Sequence, residues 1–158
     1  MRKERRMGPR LTRFLVAALG VIFAGLVAVE AADDIGRIKT VKGTVYIDRG
    51  GRRELALVGA GVRQADTLVT GPDGAVGITL ADDTLLSAGP NSILALERFV
   101  YEVNQPASLE AALTKGTLAV VSGRIAKQGP DAMRVKTPAA ILGVRGTEFV
   151  VRASDGSP

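Results

Sequence analysis

Three aspartates lie in turns of this 158-residue chain and could offer oxygen ligands to calcium. Asp73 lies in a proline-glycine turn, and Asp82 and Asp83 are adjacent in a second turn. A recognised calcium loop places several carboxylates at alternating positions, and no loop here has that spacing. Aspartate also favours turns because its side chain bonds to the nearby backbone. We therefore assign these residues to the turns and predict no metal site.

Nucleophilic chemistry has one weak candidate, Ser122 with Lys127 as its base. The surrounding loop lacks the strained elbow and the oxyanion donors that such a pair needs. The chain has no histidine and no cysteine, which excludes a Ser-His-Asp triad, a cysteine nucleophile and the usual zinc ligand sets. Nothing in the sequence brings two acids into a cleft for glycoside hydrolysis. We expect no catalytic residue, no cofactor and no enzymatic activity.

The most distinctive segment runs from Ala139 to Val151 and holds Arg145 between Gly143 and Gly146. Arg145 could present its planar guanidinium group to a carboxylate of a partner. In the alternative interpretation, the glycines supply unusual backbone angles at a bulge and Arg145 pairs internally, for example with Glu148. We favour this structural interpretation, because glycines beside a strand usually mark backbone geometry.

Two neighbours complete the segment. Thr147 has a hydroxyl that could satisfy the turn, and it is also a candidate for contact with a partner. Pro138 ends the preceding strand, because its ring removes a backbone donor and restrains Thr137 before it.

The amino terminus has the pattern of an export signal. Basic residues precede an uncharged apolar run from Phe14 to Val29, and Ala31 and Ala32 form a plausible cleavage site. We predict a signal peptide over residues 1–31, a mature domain over residues 32–158 and a periplasmic location. The alternative is an uncleaved inner-membrane anchor with the same domain in the periplasm, because sixteen apolar residues fall little short of the roughly 17 to 25 that span a bilayer.

The net charge of +5 belongs mostly to this leader. Of 21 basic and 16 acidic residues, six and two lie in residues 1–31, which leaves 15 bases and 14 acids in the mature domain. A nucleic-acid partner is therefore not expected, since the mature domain has no basic stripe and only scattered aromatic residues.

The mature domain consists of short alternating apolar segments separated by glycine-rich turns. One hairpin is predicted around the turn Asp48 to Gly51, and a second turn spans Gly71 to Gly74. Strand signals recur about every ten residues, which is typical of an all-β sandwich, roll or barrel. We predict two packed, mainly antiparallel sheets, as a sandwich or a β-roll, preceded by the apolar helix; a short solenoid is also compatible with the turn spacing.

The second half is less regular. Residues 107–115 could form a brief helical turn, but an extended connection is the favoured interpretation. Leu118 to Val121 reads as a buried strand, Ser122 to Asp131 as a polar loop, and Met133 to Lys136 as a further strand.

These segments together resemble the FecR domain over residues 35–151. The resemblance rests on five motifs in the same order: Gly43-x-Val45-x-Ile47, the stretch from Val58 through Gly71, D-G-x-V-x-I-x-L from Asp73, K-G-x-L from Lys115, and V-K-T-P-A-A-I-L-G-V-R-G-T-E-F-V-V from Val135.

The resemblance implies an exported all-β module used in signal relay. In the best-known members, a cytoplasmic helical part holds a sigma factor and the β domain outside senses an outer-membrane transporter. Here only thirteen residues precede the apolar run, so direct anti-sigma action is not expected. A stand-alone, non-enzymatic binding or sensing module is the favoured function, and the alternative is a membrane-tethered regulator that relays an envelope signal inward.

The family pattern commonly continues with a further hairpin, whereas this sequence ends at Pro158. We therefore expect Phe149, Val150 and Val151 to form a strand with an unpaired edge, which together with Arg145 and Thr147 is the candidate partner-binding site. The expected partner is another envelope protein or envelope component, and a homodimer through this edge is also possible. In the alternative interpretation, residues 152–158 simply fray and leave the edge short.

Overall fold

The computed structural model describes residues 33–146 and 148–154, and in this part of the chain the secondary structure is almost entirely strand. The strands are β1 (Asp34–Lys42), β2 (Val45–Arg49), β3 (Arg52–Leu55), β4 (Gly61–Arg63), β5 (Thr67–Thr70), β6 (Ala75–Leu80), β7 (Leu85–Ala88), β8 (Ile93–Val100), β9 (Ser108–Val121), β10 (Met133–Lys136), β11 (Ile141–Gly143) and β12 (Glu148–Ala153). One short 3₁₀ helix, Ile125–Lys127, precedes β10.

Alternation along the strands decides which side chains enter the core. In β6, for example, Val76, Ile78 and Leu80 are buried, while the residues between them are only partly covered. Hairpin turns separate such strands, and the β2–β3 turn uses Gly50 and Gly51 at positive φ, as a tight turn between twisted strands requires. The predicted first hairpin and the turn between Gly71 and Gly74 are both present.

A single curled sheet joins all twelve strands described, in the order β3-β2-β5-β8-β9-β7-β6-β1-β4. Outside this path, β12 pairs with β9, and β10 pairs with β9 and β11. The prediction of an all-β, mainly antiparallel fold is confirmed. The predicted pair of separate sheets is corrected to one continuous sheet, because β9 pairs with strands of both halves. One half consists of β3, β2, β5 and β8 with β10 and β11, and the other of β7, β6, β1 and β4 with β12.

β9 is the strand that links the two halves. Its first part pairs with β8 and, in parallel, with β10, whereas its last part pairs with β7 and β12. Between these parts lies Gly116, with φ of +93°. A Cβ atom there would collide with Ser92. This glycine therefore permits both the left-handed backbone angle and the close approach of Ser92, which directly precedes β8.

The concave interior of the sheet holds one hydrophobic core that both halves share. It includes, among others, Ile38, Val45, Leu68, Ile78, Leu86, Leu94, Leu113, Leu118, Met133 and Val135. The chain has no cysteine, so the fold is stabilised by this apolar burial without disulfides.

The second half differs in detail from the prediction. The favoured extended connection is in fact part of β9, so the helical alternative for residues 107–115 is wrong. The predicted polar loop contains the 3₁₀ helix, whose Ile125 and Ala126 are buried in the core. An apolar pair within a polar segment is too short a signal for sequence periodicity.

The predicted signal or anchor segment over residues 1–31, with Ala31 and Ala32 at its end, lies outside the described residues. Within the part that is described, no helix has the length and apolar character needed to cross a membrane.

Candidate protein-binding edge

β12 begins within the Ala139–Val151 segment and lies against the last part of β9. The pairing is antiparallel and matches Glu148 with Val121, Val150 with Ala119, and Arg152 with Thr117. Phe149 and Val151, at the alternate positions, are half-buried and pack against the core. The strand is thus anchored by one face and presents the other outward.

The outward face of β12 carries a charge at each end and a valine between them. Glu148, Val150 and Arg152 are all exposed, and Val150 is 67% exposed. On the neighbouring strands Val121 and Leu85 are also exposed, at 41% and 42%, and they are paired with each other. Val150, Val121 and Leu85 together form a small apolar strip on the outside of the sheet.

Among the described residues, β12 pairs on one side only, with β9. The backbone N–H and C=O groups on its other side are therefore not used in the sheet as described. Such an edge is a template for an added strand.

A shallow concavity of about 250 Å³ adjoins the beginning of β12. Leu142, Gly143, Val144, Arg145 and Phe149 line it. The buried Val144 fixes this segment, and its N–H donates to the carbonyl of Met133 at 2.9 Å.

Arg145 points away from the core and is exposed. Among the residues described, no ion pair or side-chain hydrogen bond joins Arg145 to Glu148 or to another acid. The internal pairing considered for Arg145 is thus not seen in this part of the chain. An exposed guanidinium beside an aromatic ring can contact a carboxylate.

The structure brings only some of the sequence candidates together. Arg145 and Phe149 line the same concavity, Val150 faces outward, and Val151 faces the core. Thr147 lies outside the described residues.

The three residues expected to have a structural role, Gly143, Gly146 and Pro138, differ in their backbone geometry. Gly146 has φ of +56°, whereas Gly143 lies in β11 without a positive φ. A Cβ atom on Gly143 would approach the carbonyl oxygen of Pro130 at 3.2 Å. Pro138 lies in the turn between β10 and β11, where the Thr137 N–H donates to the carbonyl of Ala140 at 2.8 Å.

Sequence reasoning missed the two charged residues of this edge, Glu148 and Arg152. Neither forms an ion pair with a described residue. The available signal was their spacing, since alternate positions 148, 150 and 152 share one face of a strand.

A second concavity, of about 470 Å³, lies over the other half of the sheet. Arg98, Glu110 and Arg134 lie side by side in it on β8, β9 and β10. Hydrogen bonding from Lys136, 2.8 Å from Glu110, lowers the pKa of that carboxyl. Arg98, Glu110 and Arg134 are far apart in the chain, so the sequence alone did not indicate that they form a row.

The aspartates considered for calcium have other contacts. Asp82 is buried and accepts hydrogen bonds from Thr84 and from the Ile125 N–H. Asp83 forms an ion pair with Arg124 at 2.8 Å, and Asp73 accepts from the Thr44 N–H at 3.3 Å. No group of three or more acids in residues 33–146 and 148–154 is arranged to hold a metal ion.

Comparison with known proteins gives one family match. The family model described as "FecR protein" matches residues 66–158, which is more than half of the chain. A comparison with curated proteins gave no match. One solved structure, titled "Cell surface anchoring domain", is 28% identical, covers 39% of this chain and 83% of its own, and has a TM-score of 0.38.

Proposed function

We propose that this chain, which belongs to the FecR family, is an exported, non-enzymatic module of the cell envelope that binds another envelope protein or envelope component. The binding surface is the edge of β12 with the adjoining Arg145–Phe149 concavity. The partner adds a strand to the sheet, and its side chains contact the outward row of β12.

One observation carries this proposal: β12 pairs on one side only among the described residues, while its outward Val150 is 67% exposed. Exposed sheet edges are normally blunted by charge, proline or a covering loop. Here Glu148 and Arg152 place charges toward the two ends of β12, but the exposed Val150 lies between them and adjoins Val121 and Leu85, which are also exposed. An added strand would use the backbone groups of β12, and the strip would provide apolar contact.

Arg145 gives the surface a polar contact beside the strand. Arg145 is among the residues that line the concavity, and it makes no ion pair with a described residue. A carboxylate of the partner is the group that suits a planar guanidinium. Phe149 forms the apolar wall of the same concavity.

A second candidate function follows from the apolar run between Phe14 and Val29. If this run stays attached, the module is a membrane-tethered regulator that relays an envelope signal inward. The β12 edge then serves as the sensing surface. The two functions differ in the fate of residues 1–31. Both use the β12 edge as the surface that meets the partner.

The test is site-specific photo-crosslinking in the native cell. A photoreactive amino acid replaces Val150 in the full chain, and Val103, 88% exposed in the loop between β8 and β9, is the control position. We expect position 150 to give one discrete crosslinked product that position 103 does not give. A crosslink pattern that is the same at both positions would contradict binding at the β12 edge.

A further inference from the structure

We propose that the occupant of the β12 edge is a second copy of this chain, paired antiparallel through β12 in a register centred on Val150. This inference rests on the docking edge of the proposed function. In this register Val150 lies opposite Val150 of the second copy. Glu148 then lies opposite Arg152 of the second copy, and Arg152 opposite Glu148 of the second copy.

The charges of β12 support a second copy. Glu148 and Arg152 are exposed on the same face, and neither has an ion-pair partner among the described residues. They are four residues apart on one strand, roughly 13 Å, which is too far for them to pair with each other.

Their neighbours on β9 do not supply a partner either, because Glu148 is matched with Val121 and Arg152 with Thr117. A second β12 running in the opposite direction brings each charge beside its opposite. Opposite charges at directly facing positions stabilise an antiparallel pair.

The apolar residues agree with the same register. Val150 lies midway between the two charges and is the most exposed residue of the outward apolar strip. In the pair, the two Val150 side chains become cross-strand neighbours, and the strips of Val121 and Leu85 continue on either side. β-branched residues facing each other across strands are favourable contacts.

The symmetry of the contact limits the assembly to two chains. The same edge is used by both copies, so the contact is two-fold and closes after two chains. A six-residue strand adds about four to six backbone hydrogen bonds, and its buried area is below that of a standard stable interface. The dimer is therefore reversible and depends on concentration.

The chain offers a direct test because it contains no cysteine. In the proposed register the Cα atoms of the two Val150 residues are about 4.5 to 5.5 Å apart, within the roughly 4.4 to 6.8 Å that a disulfide spans. The purified full chain carrying V150C, under mild oxidation, is expected to become mostly disulfide-linked dimer.

Two single-cysteine variants serve as controls. V58C lies in the loop after β3 and is 64% exposed, close to the exposure of Val150. E148C lies on β12 but opposite position 152 of the second copy, so two such cysteines are roughly 13 Å apart. Both are expected to give little disulfide-linked dimer. Equal crosslinking of V150C and either control would overturn the proposed register.

Charge exchange gives a second, independent test on chains without cysteine. E148R or R152E alone places two like-charged pairs in the contact and is expected to raise the dimer dissociation constant about tenfold. The double variant E148R/R152E, or an equimolar mixture of the two single variants, is expected to restore it. Sedimentation equilibrium measures each constant, and single variants that dimerise like the original chain would overturn the pairing.

The outcomes separate this inference from the proposed function. A crosslink in the cell from position 150 to another copy supports the second copy and the docking edge, and overturns a different envelope protein as the occupant. A crosslink from position 150 to a different envelope protein, with purified V150C monomeric, overturns the second copy and leaves the docking edge standing. No discrete product in the cell and monomeric V150C overturn both.

Discussion

Asp82 is a buried acid that acts as a structural residue. It is 0% exposed, and its carboxylate accepts from the Thr84 N–H at 3.1 Å, the Thr84 hydroxyl at 2.7 Å and the Ile125 N–H at 3.1 Å. The Thr84 hydroxyl in turn accepts from the Gly123 N–H at 3.0 Å. Because these bonds join the β6–β7 turn to the loop after β9, one side chain holds two distant segments together.

Replacing Asp82 by alanine is expected to lower the free energy of unfolding by about 3 kcal/mol, because the Thr84 and Ile125 N–H groups lose their acceptor while buried. Denaturant unfolding of the full chain measures the change. D83N is the matched control: it removes a neighbouring carboxylate that is 64% exposed, and asparagine tolerates the positive φ of that position. A loss below about 1 kcal/mol for D82A would contradict this structural role.

β9 is the element on which the architecture depends. Within the sheet as described, it pairs with strands of both halves, and it borders β7, β8, β10 and β12. Its pairing with β8 shifts register between Ile93 and Leu94, just before Gly116 turns the strand toward the other half. The bulge and the glycine together let one long strand serve two directions.

Replacing Gly116 by alanine is expected to lower the free energy of unfolding by about 2 kcal/mol or more, because alanine is strained at a positive φ and its methyl group meets Ser92. G129A is the control, since a Cβ atom at position 129 would have open space around it and Gly129 does not have a positive φ. Thermal unfolding of the two variants beside the original chain makes the comparison. Equal stability of G116A and G129A would mean that β9 does not need this bend.

The elements were largely predictable from sequence. Glycine and proline turns such as Gly71 to Gly74 and period-two alternation such as that of β6 depend on neighbouring residues only, so they are visible in one sequence. The pairing of strands is not visible in this way. The parallel contact of β10 with β9 joins Met133 to Leu109 across a loop, and alternation gives no information on such partners.

The candidate site was predictable in part. The Ala139–Val151 segment indicated Arg145, Phe149 and Val150 as candidates, and the structure puts the first two in one concavity and the third on the outward face of β12. Glu148 and Arg152 were missed, since their significance depends on which face of β12 points outward. The row of Arg98, Glu110 and Arg134 was missed because three separate strands supply it.

The whole molecule combines a leader-like amino terminus with a domain of nearly balanced charge. If residues 1–31 are an export signal, the protein isolated from its native cells begins at or close to Ala32. Mass spectrometry of the intact protein is expected to show that start. A protein that retains Met1 to Ala31 in the membrane fraction would favour the tethered regulator, and retention in the cytosol would contradict export altogether.

The position of β9 in the chain also constrains when the protein can fold. β7 and β8 are made before their partner strand, while β10, β11 and β12 follow it, so one half of the sheet is complete only after Gly143 and the other only after Ala153 has emerged from the ribosome. Most stabilising contacts join residues distant in sequence, which slows folding. We therefore expect the sheet to be completed late in the emergence of the chain.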